Sequence, residues 1–182
     1  MDKLSPQYEE NIKAALQGLK RRETDISGLV EKSIQGLEHP SCVNVRLIAD
    51  IHDPSVWIDE ERIFKTLQNL ETNSVEAMPD GGELTVHLEE SGEQVTITIE
   101  DTGRGISREN MDNILTPFFT TKPVGEGTGL GLPFAYGAIK MHGGSFTIDS
   151  NADPEKGPTG TRVVITIPRA RPDLSKVILE GD

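Results

Sequence analysis

Apolar residues recur with a helical period at the start of the chain. Tyr8, Ile12, Leu16 and Leu19 stand four, four and three residues apart, which predicts a helix over 5–22. Ile26, Leu29, Val30, Ile34 and Leu37 predict a second amphipathic helix. His39-Pro40-Ser41 ends it, because the residue before a proline is pushed out of helical geometry. A third helix, over about 59–78, carries Ile63, Leu67, Leu70 and Ala77 on its buried stripe. VNVRLIAD reads as a strand, SVWID as a shorter one, and MPDGGE as a turn. The period then changes to two. Leu84, Val86 and Leu88 alternate with Thr85, His87 and Glu89, and Val95, Ile97 and Ile99 alternate with Thr96, Thr98 and Glu100. GSFTIDS and RVVITIP complete a sheet and are joined through the hairpin loop NADPEKGPTG. One apolar and one polar face predict a mixed, mostly antiparallel sheet of about five strands with helices on one face, an α/β two-layer sandwich.

Between the two pairs of strands lie residues 102–132, long and rich in glycine. Such a segment inside a compact domain is usually functional. A length of 182 residues suits one domain with a short appendage, and 35% hydrophobic with 26% charged residues describes a soluble globular chain. No apolar run approaches the ~18–20 residues of a membrane helix. The opening MDKLSPQYEE has no apolar signal core, so the chain is expected in the cytoplasm without direct membrane contact. The net charge of −12 argues against nucleic acid as a partner. It also means that a phosphate ligand must be attracted locally, by amides, a few cations or a metal. The single cysteine, Cys42, excludes an internal disulfide and a cysteine-ligated zinc, and is expected to pack as a small buried hydrophobe.

Four stretches could carry chemistry. On the third helix, Asn69, Asn73 and Glu76 fall in one line beside the apolar stripe. Alone, this line reads as a solvated polar face. Yet asparagine is a poor helix former, and an amide oxygen suits a hard cation such as magnesium. In IEDTGRGI, Asp101 ends a strand ahead of Gly103 and Gly105. This is either an Asx turn or a carboxylate at the bottom of a pocket, able to accept from the exocyclic amine of adenine. PFFTTK places Phe118, Phe119 and Lys122 in the loop, as an anchor with a surface lysine or as a partner for phosphate. Finally, GEGTGLGLPF puts Gly127, Thr128, Gly129, Leu130, Gly131 and Leu132 before a helical pattern, with Pro133 suited to its first turn. A helix N-terminus behind bare amides is an anion site. No Gly-Lys-Ser/Thr follows, so this is not a Walker loop. Leu132 stands where a dinucleotide fingerprint needs glycine.

Together, over roughly residues 24–168, the four stretches resemble the N, G1, F and G2 boxes of the catalytic, ATP-binding domain of sensor histidine kinases. That superfamily is shared with DNA gyrase, heat-shock-protein chaperone ATPases and mismatch-repair ATPases. The resemblance implies a Bergerat-type ATP-binding fold with ATP and Mg2+ as ligands. Asn73 would be the magnesium ligand, and Asn69 would lie beside the triphosphate. Asp101 would read the adenine amine, with Gly103 and Gly105 letting base and sugar lie against the backbone. Phe118, Phe119 and Lys122 would belong to an ATP lid. Gly127, Gly129 and Gly131, with Thr128, Leu130 and Leu132 between them, would bring amides to the phosphates, and Thr161 would place a hydroxyl near the adenine. The hydrolysing relatives have a glutamate four residues before the metal asparagine. Asn69 stands there instead and cannot act as a base, which favours phosphoryl transfer, with Asn69 and Lys122 as the catalytic pair.

The resemblance further implies a phosphoacceptor histidine on a dimerisation domain, homodimerisation of the full protein, and relay to a response-regulator receiver domain. His39, His52, His87 and His142 all lack the acceptor's helical context, so self-phosphorylation of this chain is not expected. The expected organisation is a helical segment at 1–23 resembling the end of the dimerisation helix pair, a catalytic domain at 24–170 and a tail at 171–182. A serine/threonine kinase of the same superfamily and a non-catalytic ATP-responsive module are the rival readings.

Overall fold

The computed structural model describes residues 18–122 and 127–170. In chain order the elements are β1 (Arg22–Asp25), α1 (Ile26–Gln35), β2 (Val43–Asp50), β3 (Ser55–Ile58), α2 (Glu60–Glu76), β4 (Gly82–Ser91), β5 (Gln94–Asp101), α3 (Arg108–Met111), α4 (Gly131–Met141), β6 (Ser145–Asn151), a 3-10 turn (Pro154–Lys156) and β7 (Gly160–Pro168). The alternating strands form one sheet in the order β2-β4-β5-β7-β6. Only β2 and β4 are parallel; the other pairs are antiparallel.

Register makes the apolar face continuous. Val86 pairs with Ile99, Ile99 with Val163, and Val163 with Ile148. One row along, Leu88, Ile97, Ile165 and Phe146 do the same. A one-residue slip would move both rows to the opposite face, so burial fixes the register. Ile26, Leu29 and Val30 of α1, Ile63, Leu67 and Leu70 of α2, and Ala135 and Ile139 of α4 belong to the same core. The alternate sheet positions are mostly polar, with Arg46 paired to Glu83 and Arg162 to Glu100, Ile48 being an exposed exception.

The N-terminal helix expected over 5–22 falls mostly outside the described residues, and its end is not helical. Residues 18–21 are irregular, and Arg22–Asp25 form a strand antiparallel to β3. Tertiary partners hold this segment extended. The Lys20 amide donates to Asp59 Oδ2 at 2.9 Å, and Arg21 donates to the Met141 carbonyl at 2.6 Å. Asp59 also caps α2 through the Arg62 amide at 3.2 Å. Cys42 is exposed, contrary to expectation. It lies in the turn before an edge strand, where its carbonyl accepts from Gly82 at 3.2 Å.

Two buried titratable groups tie the helices together. His142 Nδ1 donates to the Ala138 carbonyl at 2.6 Å, and its Nε2 accepts the Asp59 amide at 3.0 Å. The ring thus joins the end of α4 to the start of α2. Burial lowers its pKa, so its share of stability falls as pH drops below the ordinary histidine value. On α2, Glu71 is fully buried and accepts from Ser33 of α1 at 2.7 Å through Oε1, while Oε2 has no partner among the described residues. Burial pushes the Glu71 carboxyl up from 4.5 to about 7. Because the folded pKa is raised, Glu71's contribution is complete below about 4.5 and is lost as pH rises toward 7. Glu71→Gln is therefore expected to gain about 2 kcal/mol relative to wild type between about pH 5 and about pH 8. Urea unfolding at the two pH values checks this, and a difference independent of pH would contradict it.

Candidate functional site

At the floor of the site β5 ends its apolar alternation on Asp101, which is only 5% exposed. A carboxylate removed from water needs donors, and three are supplied. Asp101 Oδ1 accepts the Gly103 amide at 3.0 Å and the Thr161 amide at 3.2 Å, and the Ser74 side chain also bonds the carboxylate. Thr161 is delivered by sheet register, as the β7 partner of Asp101. Burial raises the Asp101 pKa, and these hydrogen bonds pull it back. The result is an anchored acceptor in a cleft of about 760 Å3 whose lining also includes apolar Ile106, Ile148 and Val163.

The phosphate-sized part of the cleft is built by two helices. Asn69 and Asn73 line it from α2, one turn apart, and Asn69 Nδ2 donates to the Gly131 carbonyl at 3.4 Å. Gly131 begins α4, whose N-cap position, Leu130, supplies no side-chain hydrogen bond. The first amides of α4 are therefore left for a ligand, at the positive end of the helix dipole. Pro133, third in α4, has no N–H to satisfy at a place where none would be paired. Lys122 reaches the same corner: its Nζ is 3.5 Å from Asn73 Oδ1 and paired with the Glu76 carboxylate. Lys65 and Arg104 also line the cleft, giving an acidic chain the local positive charge it needs.

The lining contains Asn69, Asn73, Asp101, Gly105 and Lys122. It also contains Gly127, Thr128, Gly129, Gly131, Leu132 and Thr161. Three expected binding residues are not part of it. Gly103 sits behind the wall, where a Cβ would come within 2.7 Å of the Ala77 carbonyl. Phe118 is 75% exposed with φ of 68°, and its neighbour Phe119 lines the cleft instead. Leu130 is 41% exposed.

The glycines answer to the chain itself more than to a ligand. At Gly129 (φ 64°) a Cβ would press into the Phe118 backbone, whose amide donates to the Gly129 carbonyl at 3.0 Å. At Gly105 (φ 69°) it would overlap the Asn151 carbonyl. Thr161 contributes its amide to Asp101, while its hydroxyl bonds Ser150 Oγ at 2.9 Å. Ser150, unnoticed in sequence, also accepts the Ile106 amide at 2.8 Å and so fixes the loop after Asp101. Lys65 was equally missed, although it lies one turn before Asn69 on the same line of α2. Among the described residues no three His, Cys, Asp or Glu side chains cluster to hold a metal. A hard cation here would rest on the Asn73 amide oxygen together with phosphate and water oxygens, a set that suits magnesium.

Residues 58–171 match the family model described as histidine kinase-, DNA gyrase B-, and HSP90-like ATPase. The chain is 34% identical over 140 residues to the sensor histidine kinase ZraS of Escherichia coli (strain K12), covering 75% of this chain and 29% of that protein. It is 38% identical over 109 residues to sporulation kinase D of Bacillus subtilis (strain 168), covering 60% of this chain and 20% of that protein. It thus spans less than a third of either relative's length. Among solved structures, the catalytic domain of histidine kinase ThkA is 26% identical, with a TM-score of 0.69 over 82% of this chain and 96% of that one.

Asp101→Asn keeps an oxygen for the Gly103 and Thr161 amides but places a donor where an adenine amine would come. ATP affinity is expected to fall by about 1.5–3 kcal/mol, and discrimination against GTP to shrink. Titration calorimetry with both nucleotides checks this, and ATP affinity within about twofold of wild type would contradict it.

Proposed function

The chain belongs to the histidine kinase-, DNA gyrase B- and HSP90-like ATPase family, and on that premise we propose that it is the Mg·ATP-binding catalytic domain of a sensor histidine kinase. The full protein would pass the γ-phosphoryl group to a histidine on its own dimerisation domain, for relay to a response-regulator receiver domain. One observation carries the reading: a single cleft holds a buried, anchored carboxylate, an uncapped helix N-terminus and the Asn73–Lys122 pair. These groups match, respectively, an adenine amine, phosphate oxygens and a metal–phosphate corner.

Asp101 accepts from the base, and Ile106, Ile148 and Val163 flank it. The Gly131 and Leu132 amides, with Lys122, bind and orient the phosphates. Asn73 would hold magnesium, which when bound would supply charge neutralisation at the phosphates. Asn69 spends its amide on the Gly131 carbonyl and carries no basic group to activate water, which favours transfer to a protein over hydrolysis. Rate then comes from positioning and electrostatics.

The histidines support an acceptor on the dimerisation domain. His39 is exposed beyond the end of α1, His52 pairs with Glu90 in a loop, His87 lies on β4, and His142 is buried between helices. None stands on an exposed helical face. We place the catalytic unit at 24–170, with residues 20–23 packed onto it, the residues before them as the approach from the dimerisation helices, and 171–182 as a tail. A cytoplasmic setting, where ATP is supplied, fits this role. No helix among the described residues is long and apolar enough to cross a membrane.

Asn73→Ala removes the metal's amide oxygen at a half-buried position. Nucleotide affinity in magnesium should fall at least about tenfold by calorimetry, while the ligand-free melting temperature stays unchanged. Equal affinity would remove the metal assignment. With radiolabelled ATP, the chain alone should acquire no label. Dimerisation helices of the parent kinase, added in trans, should acquire acid-labile, base-stable label weakly, because tethering is lost. Acid-stable label would favour a hydroxyl acceptor and the serine/threonine reading. Nucleotide binding with no transfer to either piece would favour the ATP-responsive module.

A further inference from the structure

The line Asn69, Asn73, Glu76 on α2 contains one residue that nucleotide recognition leaves without a role. Glu76 is the last residue of α2, a helix with no basic residue in its final turn. A carboxylate at a helix C-terminus opposes the dipole, so helix stability does not favour it there. Its partner explains its presence. Lys122, 46 residues later, brings its ammonium onto the Glu76 carboxylate and within 3.5 Å of Asn73 Oδ1. The rest of the lysine is held as well. Its amide donates to Thr120 Oγ1 at 3.1 Å, and a Cβ at Gly127 would come within 2.9 Å of Lys122 Cδ. The Lys122 side chain is only 27% exposed, against 41% for Glu76.

We propose that Glu76 is a positioning residue for Lys122. It holds the ammonium at the phosphate corner before nucleotide arrives, drawn to Glu76 and 3.5 Å from Asn73 Oδ1, so that the cation waits for phosphate oxygens while the Asn73 oxygen is left for the metal. The inference rests on the cleft being the Mg·ATP site. A free lysine would give up its rotamer freedom when it clamped a phosphate, and Glu76 removes part of that loss beforehand. An isolated carboxylate at this corner would repel a triphosphate. Paired with Lys122 it presents little net charge, and what remains is the direction in which the lysine points. Exposed pairs are worth little individually, so the effect is a modest one.

The sign of the effect decides between positioning and repulsion. Calorimetry on the nucleotide-binding chain would compare Mg·ATP with AMP for wild type, Glu76→Gln, Glu76→Asp, Lys122→Met and the Glu76→Gln/Lys122→Met double variant. Glu76→Gln is expected to weaken Mg·ATP binding about three- to fivefold, the worth of an exposed ion pair. AMP affinity should be unchanged, Glu76→Asp should recover part of the loss, and Glu76→Gln should add nothing once Lys122 is gone. In the nucleotide-free protein, NMR relaxation of the Lys122 side chain should show it ordered in wild type and freely rotating in Glu76→Gln, with the melting temperature unmoved. Unchanged or tighter Mg·ATP binding in Glu76→Gln, or losses that add in the double variant, would overturn the inference while leaving the ATP reading intact. Failure of wild type to bind Mg·ATP at all would take down both.

Discussion

A carboxylate taken out of water at the end of a central strand must be met by donors, and much of this molecule is arranged around meeting that demand at Asp101. The side chain is held by the amides of Gly103 and Thr161 and by Ser74. Each donor comes from a different element. Thr161 depends on the register of β7, Ser74 on the placement of α2, and Gly103 on a turn tight enough to pass against the Ala77 carbonyl. A slip in any of the three would leave a buried charge under-satisfied, at a cost of several kcal/mol. Sheet register, helix position and turn geometry are thereby coupled at one atom pair. The desolvation that makes the site costly to build also makes its acceptor selective for a ligand that brings its own donor.

A second constraint comes from charge. A chain of net −12 cannot attract a polyphosphate by its overall field. It relies on what two helices and a loop bring together: uncapped amides at the start of α4, Asn73 on α2, and lining cations Lys65, Arg104 and Lys122. The far ends of the same helices are joined through His142, whose ring spans from Ala138 to the cap of α2. Arg21 and Lys20, at the approach to β1, fasten to the same junction. The helices that form the site are thus fixed relative to each other at the end remote from it, and the entering chain is fixed to both.

Period-two alternation identified the strands of the main sheet because an antiparallel sheet with one wet face writes its register directly into sequence. Asn69, Asn73 and Asp101 were readable because polar residues at those positions conflict with local preference. Other features depended on contacts distant in sequence. The helix expected over 5–22 does not run to its predicted end, because Arg22 opens a strand, Arg22–Asp25, that pairs with β3, a tertiary override of local pattern. Glu71 falls four residues after Leu67, on the buried stripe of α2, but a carboxylate reads as a surface group until α1 is seen to cover it and Ser33 to bond it. Ser150 and Lys65 carry no sequence signal beyond spacing. The glycines were legible as a need for close approach, but not what approached: at Gly129 it is the Phe118 backbone. Phe118, next to Phe119 in a loop with no periodicity, could not be assigned a direction from sequence, and it faces solvent.

The central claim is one of placement: base at Asp101, phosphates at the start of α4. The most direct measurement is a crystal structure of the chain with magnesium and a non-hydrolysable ATP analogue. The adenine amine is predicted within hydrogen-bond distance of the Asp101 carboxylate, the phosphates on the Gly131 and Leu132 amides, and the metal on Asn73. A nucleotide bound outside this cleft, or with its base at α4 and its phosphates at Asp101, would contradict the account.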